Sequence, residues 1–413
     1  MKVIILGAGF AGLRLARSLN NKAGFEIVLI DQFNYHQFQP LFYQVATAGL
    51  DASNISFPLR KAFHDSRNIR IRMARVEQVN FSEKKVITSE ETFQYDYLVI
   101  ATGATTNFFG NSNLEQFALP MKSTVEALQL RHRLIQNFED ALHTKDPAEL
   151  QRLMNVVVVG GGPTGVELAG AIAEMKRYVL PKDYPELDFS TMNIYLLEGT
   201  SRTLGSMSEK SSAKSAAYLQ ELGVQVQTNT LLQDYDGANV LLKNGTAIPS
   251  YLVIWAAGIK GNVPAGVDPS LIARGNRIKT DAMNRVPGQD SVFAIGDIAF
   301  VEDEVFTNGH PQVAPVAIQQ AELLARNLLL MSKGKTLQPF RYTDKGSMAT
   351  VGRNLAVVDA PLPFFSHLRL HLNGFIAWLI WMSLHLMLIL GVKNRFFVFV
   401  NWLYNYFTYD QHL

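Results

Sequence analysis

The sequence predicts an α/β fold of two similarly built parallel-sheet domains, the second inserted in the first, followed by an apolar helical segment. Three observations carry the prediction. Two stretches of about a hundred residues resemble each other, which reads as a domain duplication and not as a solenoid repeat. Each opens on a β-branched run that ends in glycines. Residues 374–392, GFIAWLIWMSLHLMLILGV, hold no side chain of fixed charge.

The first copy starts as VIILGAGFAG (3–12), reaches EIVLID (26–31) and closes with DYLVIATGA (96–104). The second starts as VVVVGGGPTG (156–165), reaches NIYLLE (193–198) and closes with SYLVIWAAG (250–258). Gly7 corresponds to Gly160, and Gly103 to Gly258. Unbroken apolar runs such as VVVV suit strands of a parallel sheet covered on both faces. SVFAIGD (291–297) is a further buried strand ending in Gly-Asp, and VAIQQAELLARNLLL (316–330) places apolar residues at helical spacing. KDPAELQ (145–151) reads as a solvated connection. From about Gln338 there remain YTDKGSMATVGR and the apolar tail.

Composition removes several classes of function. The 413 residues suffice for two or three domains with their own cores. A net charge of +2 without a long basic run sets nucleic acid aside. The absence of cysteine excludes disulfides, cysteine-held zinc or iron–sulfur clusters and a thiolate nucleophile. The N-terminus passes from one lysine through a short apolar run into glycines, too short for a secretory signal, so the body is expected in the cytoplasm.

Gly7, Gly9 and Gly12 form a G-x-G-x-x-G pattern after a strand and before a helix, with Asp31 ending the next strand. The first glycine permits a tight turn, the second a close approach of backbone to a pyrophosphate, and the third close packing of helix on strand. The helix N-terminus then turns unpaired N–H groups towards phosphate, and the acid can accept from a ribose hydroxyl. Gly160, Gly162, Gly165 and Glu198 repeat the arrangement. A carboxylate at Glu198 repels a 2′-phosphate and favours NADH over NADPH, a preference that Arg202, four residues on, moderates. Taken as ordinary turns, the two patterns leave the matched acids unexplained. Two dinucleotide sites in one chain suggest FAD and NAD(H) held face to face, with hydride passing from nicotinamide to flavin.

At this point the chain resembles the two-dinucleotide-domain flavoprotein oxidoreductases, and within them the type II NADH:quinone oxidoreductases, single-chain NADH dehydrogenases that do not pump protons. The motifs run through nearly the whole chain: GAGFAG (7–12), YHQFQPLFYQVATAG (35–49), ATGA (101–104), GGGPTGVELAG (160–170), WAAG (255–258), AIGD (294–297), VAPVAIQQA (313–321), DKGSMATVGR (344–353) and GFIAWLIW (374–381). The resemblance implies FAD at Gly7, Gly9, Phe10, Ala11, Gly12, Asp31 and Gln32, with Leu41, Val76, Ala101, Thr102, Gly103, Gly296, Asp297, Ala314 and Pro315 completing the flavin site. It implies NADH at Gly162, Pro163, Thr164, Gly165, Glu198, Ala257 and Gly258, and places Glu167 beside nicotinamide and flavin. The implied domains are FAD-binding over 1–121 and 271–337, NADH-binding over 122–270, and membrane anchoring with quinone access over 338–413.

The resemblance also implies a reaction: hydride from NADH to flavin, then two electrons to a membrane quinone (ubiquinone or menaquinone) of a respiratory chain, without proton pumping. The missing cysteines remove disulfide and sulfide chemistry, so electrons must leave the flavin directly. One departure stands beside the flavin ring. The family's Ala-Gln-x-Ala-x-Gln reads here Ala314-Pro315-Val316-Ala317-Ile318-Gln319, and proline offers neither side-chain amide nor N–H. Pro315, Gln319 and Lys345, with Gln320, are the residues left to meet the quinone. Two other readings are a flavoprotein reductase serving a protein electron carrier and a non-enzymatic, flavin-stabilised binding protein. Expected partners are NADH, quinone and membrane lipid, with a homodimer left open.

Individual residues have plainer roles as well. Glu167 could be a favourable acid in the first helical turns; in its functional role, Glu167→Ala slows flavin reduction while FAD stays bound. Asp297 could be a helix N-cap. His367 and His371 stand four apart, but no glutamate follows His367 and no third ligand is evident, so both are read as interfacial side chains and no metal is expected. The 19 residues of the tail would make a helix of about 28 Å, borderline for a bilayer. Trp378, Trp381 and His385 share one side, and Lys393, Arg395 and the aromatic run FFVFVNWLYNYF (396–407) follow. Basic or titratable groups at both ends give no direction across a membrane. The expectation is helices lying on one leaflet, at the cytoplasmic face of the cell (inner) membrane, peripheral or monotopic, against a buried core or dimer helix. Removing 374–413 is expected to free the protein from the membrane and spare NADH oxidation by soluble dyes.

Overall fold

The computed structural model describes residues 1–362 and 365–411, with the backbone alone at 365–368. The chain forms two units: Met1–Gln37, Phe57–Thr105 and Ile259–Asp344 make the first, and Phe38–Ser56, Thr106–Gly258 and Lys345–Leu413 the second. The first unit is centred on five parallel strands in the order Val292–Ala294, Tyr97–Ile100, Lys2–Leu6, Glu26–Asp31 and Ile69–Met73. The second repeats that order with Leu119–Pro120, Leu252–Trp255, Val156–Val159, Ile194–Leu197 and Val224–Gln227. In both, the strand that runs into the glycines lies between the closing strand and the acid-ending strand. The strand order reverses there, and ligands of such sheets bind beyond the strand ends at that switch point.

The apolar runs are buried as their composition requires. All four residues of Val156–Val159 are buried, and Ile4, Val28, Leu98 and Ala294 meet in one core cluster while Val157, Leu197 and Val253 meet in another. KDPAELQ is solvated as expected, but it is a connection only up to Asp146. Pro147–Met154 is a helix: Asp146 accepts the Ala148 N–H at 3.0 Å, and Pro147 fills a first-turn position that needs no N–H.

The last part of the second unit is an antiparallel meander, Ser347–Gly352, Leu355–Leu362 and Phe365–Asn373, followed by the helices Gly374–Leu388 and Val392–Thr408. The apolar run is not one helix. It stops at Leu388, and Gly391 turns the chain at φ +83°, a backbone state glycine reaches at no steric cost. Its 15 residues make about 22 Å. Among the described residues no helix is long and apolar enough to cross a membrane.

The two helices have opposite faces of different kinds. Ala377, Trp381 and His385, spaced by four, are buried with Val398 and Trp402. Ile376, Leu379, Met387, Phe396, Phe399, Leu403 and Phe407 are exposed. The inner face is core: the Trp381 and His385 rings stack at 4.1 Å, Trp402 Nε1 donates to Gln44, Asn405 to the Gly49 carbonyl and Asn394 to the Ser56 carbonyl. Removing 374–413 would take Trp381 and Trp402 out of this core and leave Gln44 and the Gly49 and Ser56 carbonyls without these partners. His371 is not a free interfacial group either. Its Nδ1 lies 2.7 Å from the buried Asp359 carboxylate and 3.1 Å from Ser208 Oγ, which ties the meander to the start of the helix Glu209–Glu221. The His367 side chain lies outside the described residues. Among the described residues no cluster of metal-ligating side chains occurs.

Candidate active site

The two glycine turns are built alike to the level of single hydrogen bonds. Asp31 accepts the Ala8 N–H at 2.6 Å with one oxygen and the Phe33 N–H at 2.8 Å with the other. Glu198 accepts the Gly161 N–H at 2.6 Å with one oxygen and the Thr200 N–H and hydroxyl, each at 2.7 Å, with the other. Each acid therefore clasps the turn that follows the first glycine and the backbone two residues beyond itself. Burial pushes the Asp31 carboxyl up, against the two N–H groups that favour its anion.

The glycines themselves test whether a dinucleotide fits. A Cβ at Gly7 would lie 2.3 Å from the Ala101 carbonyl oxygen, and one at Gly160 2.6 Å from that of Ala256. A Cβ at Gly12 or Gly165 would lie 1.9 Å from the carbonyl oxygen of Gly7 or Gly160. The first and third glycines are thus demanded by the protein's own packing. At Gly9 and Gly162 a Cβ would meet nothing within 4 Å. Open space in front of the second glycine, at a helix N-terminus, fits a pyrophosphate in both units.

In the first unit, Gly296, at φ +77°, would bring a Cβ to 3.1 Å from that of Ala11, so the Gly-Asp turn lies beside the first glycine turn. Its N–H donates to the buried Gln320 side chain at 2.7 Å. Asp297 is the second residue of the short helix Gly296–Ile298, not its cap, and its carbonyl accepts from Gln312. Ala101 and Thr102 back Gly7, and the Thr102 hydroxyl donates to the Asn262 carbonyl. Ala314 and Pro315 open the helix Ala314–Met331. Gln32 is exposed and Val76 packs half-buried against the core. Gln319 has both amide atoms engaged on the Thr343 backbone, at 2.9 and 3.0 Å. His36 was not singled out from sequence. It is buried, kept neutral by that burial, and its Nδ1 donates to the Ala8 carbonyl while Phe10 packs edge-on against its ring.

In the second unit, Pro163 and Thr164 are exposed at the start of the helix Pro163–Tyr178, and Ala257 and Gly258 follow the closing strand. Leu41 is fully buried in this unit, and Lys345 is exposed. Glu167 is not a surface acid in the first helical turn. It is buried, and burial pushes its carboxyl up to about 8, opposed by the Thr350 N–H at 3.4 Å and by the Trp381 indole N–H. It lines a cleft of about 130 Å³ with Tyr43, Gln44, Thr47, Glu174, Arg353, Trp378, Trp381 and Trp402. Burial likewise pushes Glu174 up to about 7, opposed by Arg353. A cleft walled partly by aromatic rings and holding carboxylic acids of raised pKa can take an uncharged, oxygen-bearing ring and give it protons.

Residues 1–321 match the pyridine nucleotide-disulphide oxidoreductase family and residues 345–409 the NDH2 C-terminal domain. A type II NADH:quinone oxidoreductase of Mycobacterium tuberculosis is 36% identical across 97% of this chain and 87% of its own length. This chain belongs to the type II NADH:quinone oxidoreductases. The type II NADH:quinone oxidoreductase of Haemophilus influenzae is 28% identical, over 93% of this chain and 92% of its own. The fold is that of Plasmodium falciparum NDH2 in complex with NADH, with a TM-score of 0.89 at 21% identity, covering 98% of each chain. The disulphide in the wider family's description has no counterpart here, since the type II chain holds no cysteine. Glu174, Arg353 and Gln44, which sequence reading passed over, join Glu167 in the cleft; two glutamates seven apart, two turns of one helix, with only apolar residues and glycine between them, were the available signal.

Proposed function

We propose that this chain binds FAD at the Gly7–Gly12 turn, oxidises NADH bound at the Gly160–Gly165 turn, and reduces a quinone that enters the Glu167 cleft from a lipid surface. Bound FAD supplies a carrier that takes a hydride and releases two electrons. The carboxylates of Asp31 and Glu198 hold the two turns and keep lone pairs free for ribose hydroxyls. Glu198 disfavours a 2′-phosphate, so NADH is the preferred donor. In this reading 1–121 and 271–337 serve FAD, 122–270 NADH, and 338–413 the membrane and the quinone. NADH gives up two electrons and one proton, whereas a quinone takes two of each, so one proton comes from solution. Glu167, neutral at neutral pH, is the acid placed to deliver a proton within the cleft. Pro315, Gln319 and Lys345 are outside that cleft, and Gln319 is tied to the Thr343 backbone, so this reading gives the quinone's hydrogen bonds to the cleft.

One observation carries the reading. The helices Gly374–Leu388 and Val392–Thr408 form the aromatic wall of the cleft with Trp378, Trp381 and Trp402, and on their other faces expose Leu379, Phe399, Leu403 and Phe407. Such a face suits the interfacial region of one leaflet, and the NADH supply puts it on the cytoplasmic side. A contact between two copies would be the other use of that face. Anaerobic titration tests the reaction: NADH should bleach the flavin, and ubiquinone or menaquinone should restore its colour. Leu379→Glu with Leu403→Glu should abolish vesicle binding while NADH still bleaches the flavin. A double variant that binds vesicles normally but loses self-association would put the face in a dimer instead.

A further inference from the structure

We propose that Glu174 relays protons to Glu167 while the quinone is reduced; the proposal rests on the cleft being the quinone's site. The helix Pro163–Tyr178 and the strand Ser347–Gly352 lie together in a way that only glycines permit. A Cβ at Gly170 would sit 1.7 Å from the Val351 carbonyl oxygen, and one at Gly352 2.9 Å from Glu174 Oε1. This contact sets two N–H groups against two acids. The Thr350 N–H points at Glu167 at 3.4 Å and the Arg353 N–H at Glu174 at 2.6 Å. Seven helical residues advance the chain by about 10 Å from one acid to the other, and the end of the strand and the turn after it bring the Arg353 N–H to the second.

Both carboxyls line the same cleft; a strand N–H holds Glu167 and the N–H of the turn after that strand holds Glu174, each through one oxygen. Exposure rises along the helix: Glu167 is buried, whereas Ala171, Glu174 and Tyr178 are partly open to the cleft. Arg353 stands by the outer acid, its guanidinium 3.6 Å over the Tyr409 ring. The titratable or charged groups that share the cleft with Glu174 are Glu167 and Tyr178 on its own helix, Tyr43, Arg353, Tyr406 and Tyr409. Both acids line the one cleft, and a chain of cleft waters is the link between them in this relay. Balance is simple. Glu167 gives a proton to a quinone oxygen as the electrons arrive, water hands it one from Glu174, and Glu174 regains one from bulk water past Arg353. No further oxidant or reductant is needed. Burial raises both carboxyls, Glu167 to about 8 and Glu174 to about 7, so both can exchange a proton near neutral pH.

The test uses the FAD-loaded enzyme with Glu174→Gln, which keeps an acceptor for the Arg353 N–H and removes the proton. Stopped-flow traces should show flavin reduction by NADH at the wild-type rate, reoxidation by ubiquinone slowed about tenfold, and the neutral inflection of its pH profile gone. Glu174→Asp should restore part of the rate. Infrared titration without NADH or quinone gives a second readout: the wild type should show two carboxyl C=O bands lost as pH rises through neutrality, and Glu174→Gln one. Wild-type reoxidation and pH profile in Glu174→Gln, beside slow reoxidation in Glu167→Gln, overturn the relay alone. Normal reoxidation in Glu167→Gln overturns the reading of the cleft, and the relay with it.

Discussion

Arg14 and Glu167 stand at the same place in the two copies, two residues past the third glycine, and meet opposite fates. Arg14 is on the surface, 2.6 Å from Glu322 of the helix Ala314–Met331. Glu167 is buried under the strand Ser347–Gly352. Three residues further on, the first copy has the exposed Arg17 and the second has Gly170, where the Val351 carbonyl occupies the space a side chain would need. The duplication therefore repeats the sheet and the turn but not the cover. Where one helix takes a second helix beside it and stays polar outside, the other takes a strand, and a position that would be solvated becomes an acid sealed in a cleft.

The comparison breaks most completely at the glycine. Gly170→Ala should cost about 3 kcal/mol or more, because backbone and not a flexible side chain opposes the new methyl. Arg17→Ala should stay within about 0.5 kcal/mol. Thermal unfolding of the pair checks both.

Glu167→Gln comes next, and its effect depends on pH. The Glu167 carboxyl is raised from its ordinary 4.5 to about 8 in the fold, so the folded protein keeps a proton that the unfolded chain releases. Stability therefore falls as pH rises through that window and levels off above it. The variant should match the wild type at acid pH and be more stable by a few kcal/mol above about pH 8, read as melting temperature against pH. A smaller loss is expected at the clasps. In Asp31→Asn or Glu198→Gln one of the two bonded N–H groups faces an NH₂, at about 1–3 kcal/mol each. The first should lose FAD on gel filtration and the second raise the KM for NADH. Smallest of all, Arg14→Ala removes a half-exposed ion pair and should cost less than about 1 kcal/mol.

Much of the fold could be read from the sequence because its determinants are local. A strand, three glycines and an acid a short way on define each turn, and the matched spacing of the copies gave the repeated sheet. Asp146-Pro147 was also a local signal, a helix start taken for a connection. The break after Leu388 was visible as Gly391, yet the apolar run on both sides masked it. The cleft was not legible for a different reason. Glu167 and its Thr350 partner are 183 residues apart, and nothing near Glu167 announces the strand that buries it. The protonation of Glu167 and Glu174 and the capture of His371 by Asp359 follow from such distant contacts, as does the inner face of the last two helices.

Filling the cleft asks most directly whether electrons leave there. Ala171 lines it one turn from Glu167 and carries the smallest side chain that can be enlarged. In FAD-loaded Ala171→Trp, stopped-flow absorbance should follow NADH bleaching the flavin at the wild-type rate and ubiquinone failing to restore its colour. Full-speed reoxidation with the cleft filled would contradict an exit through it.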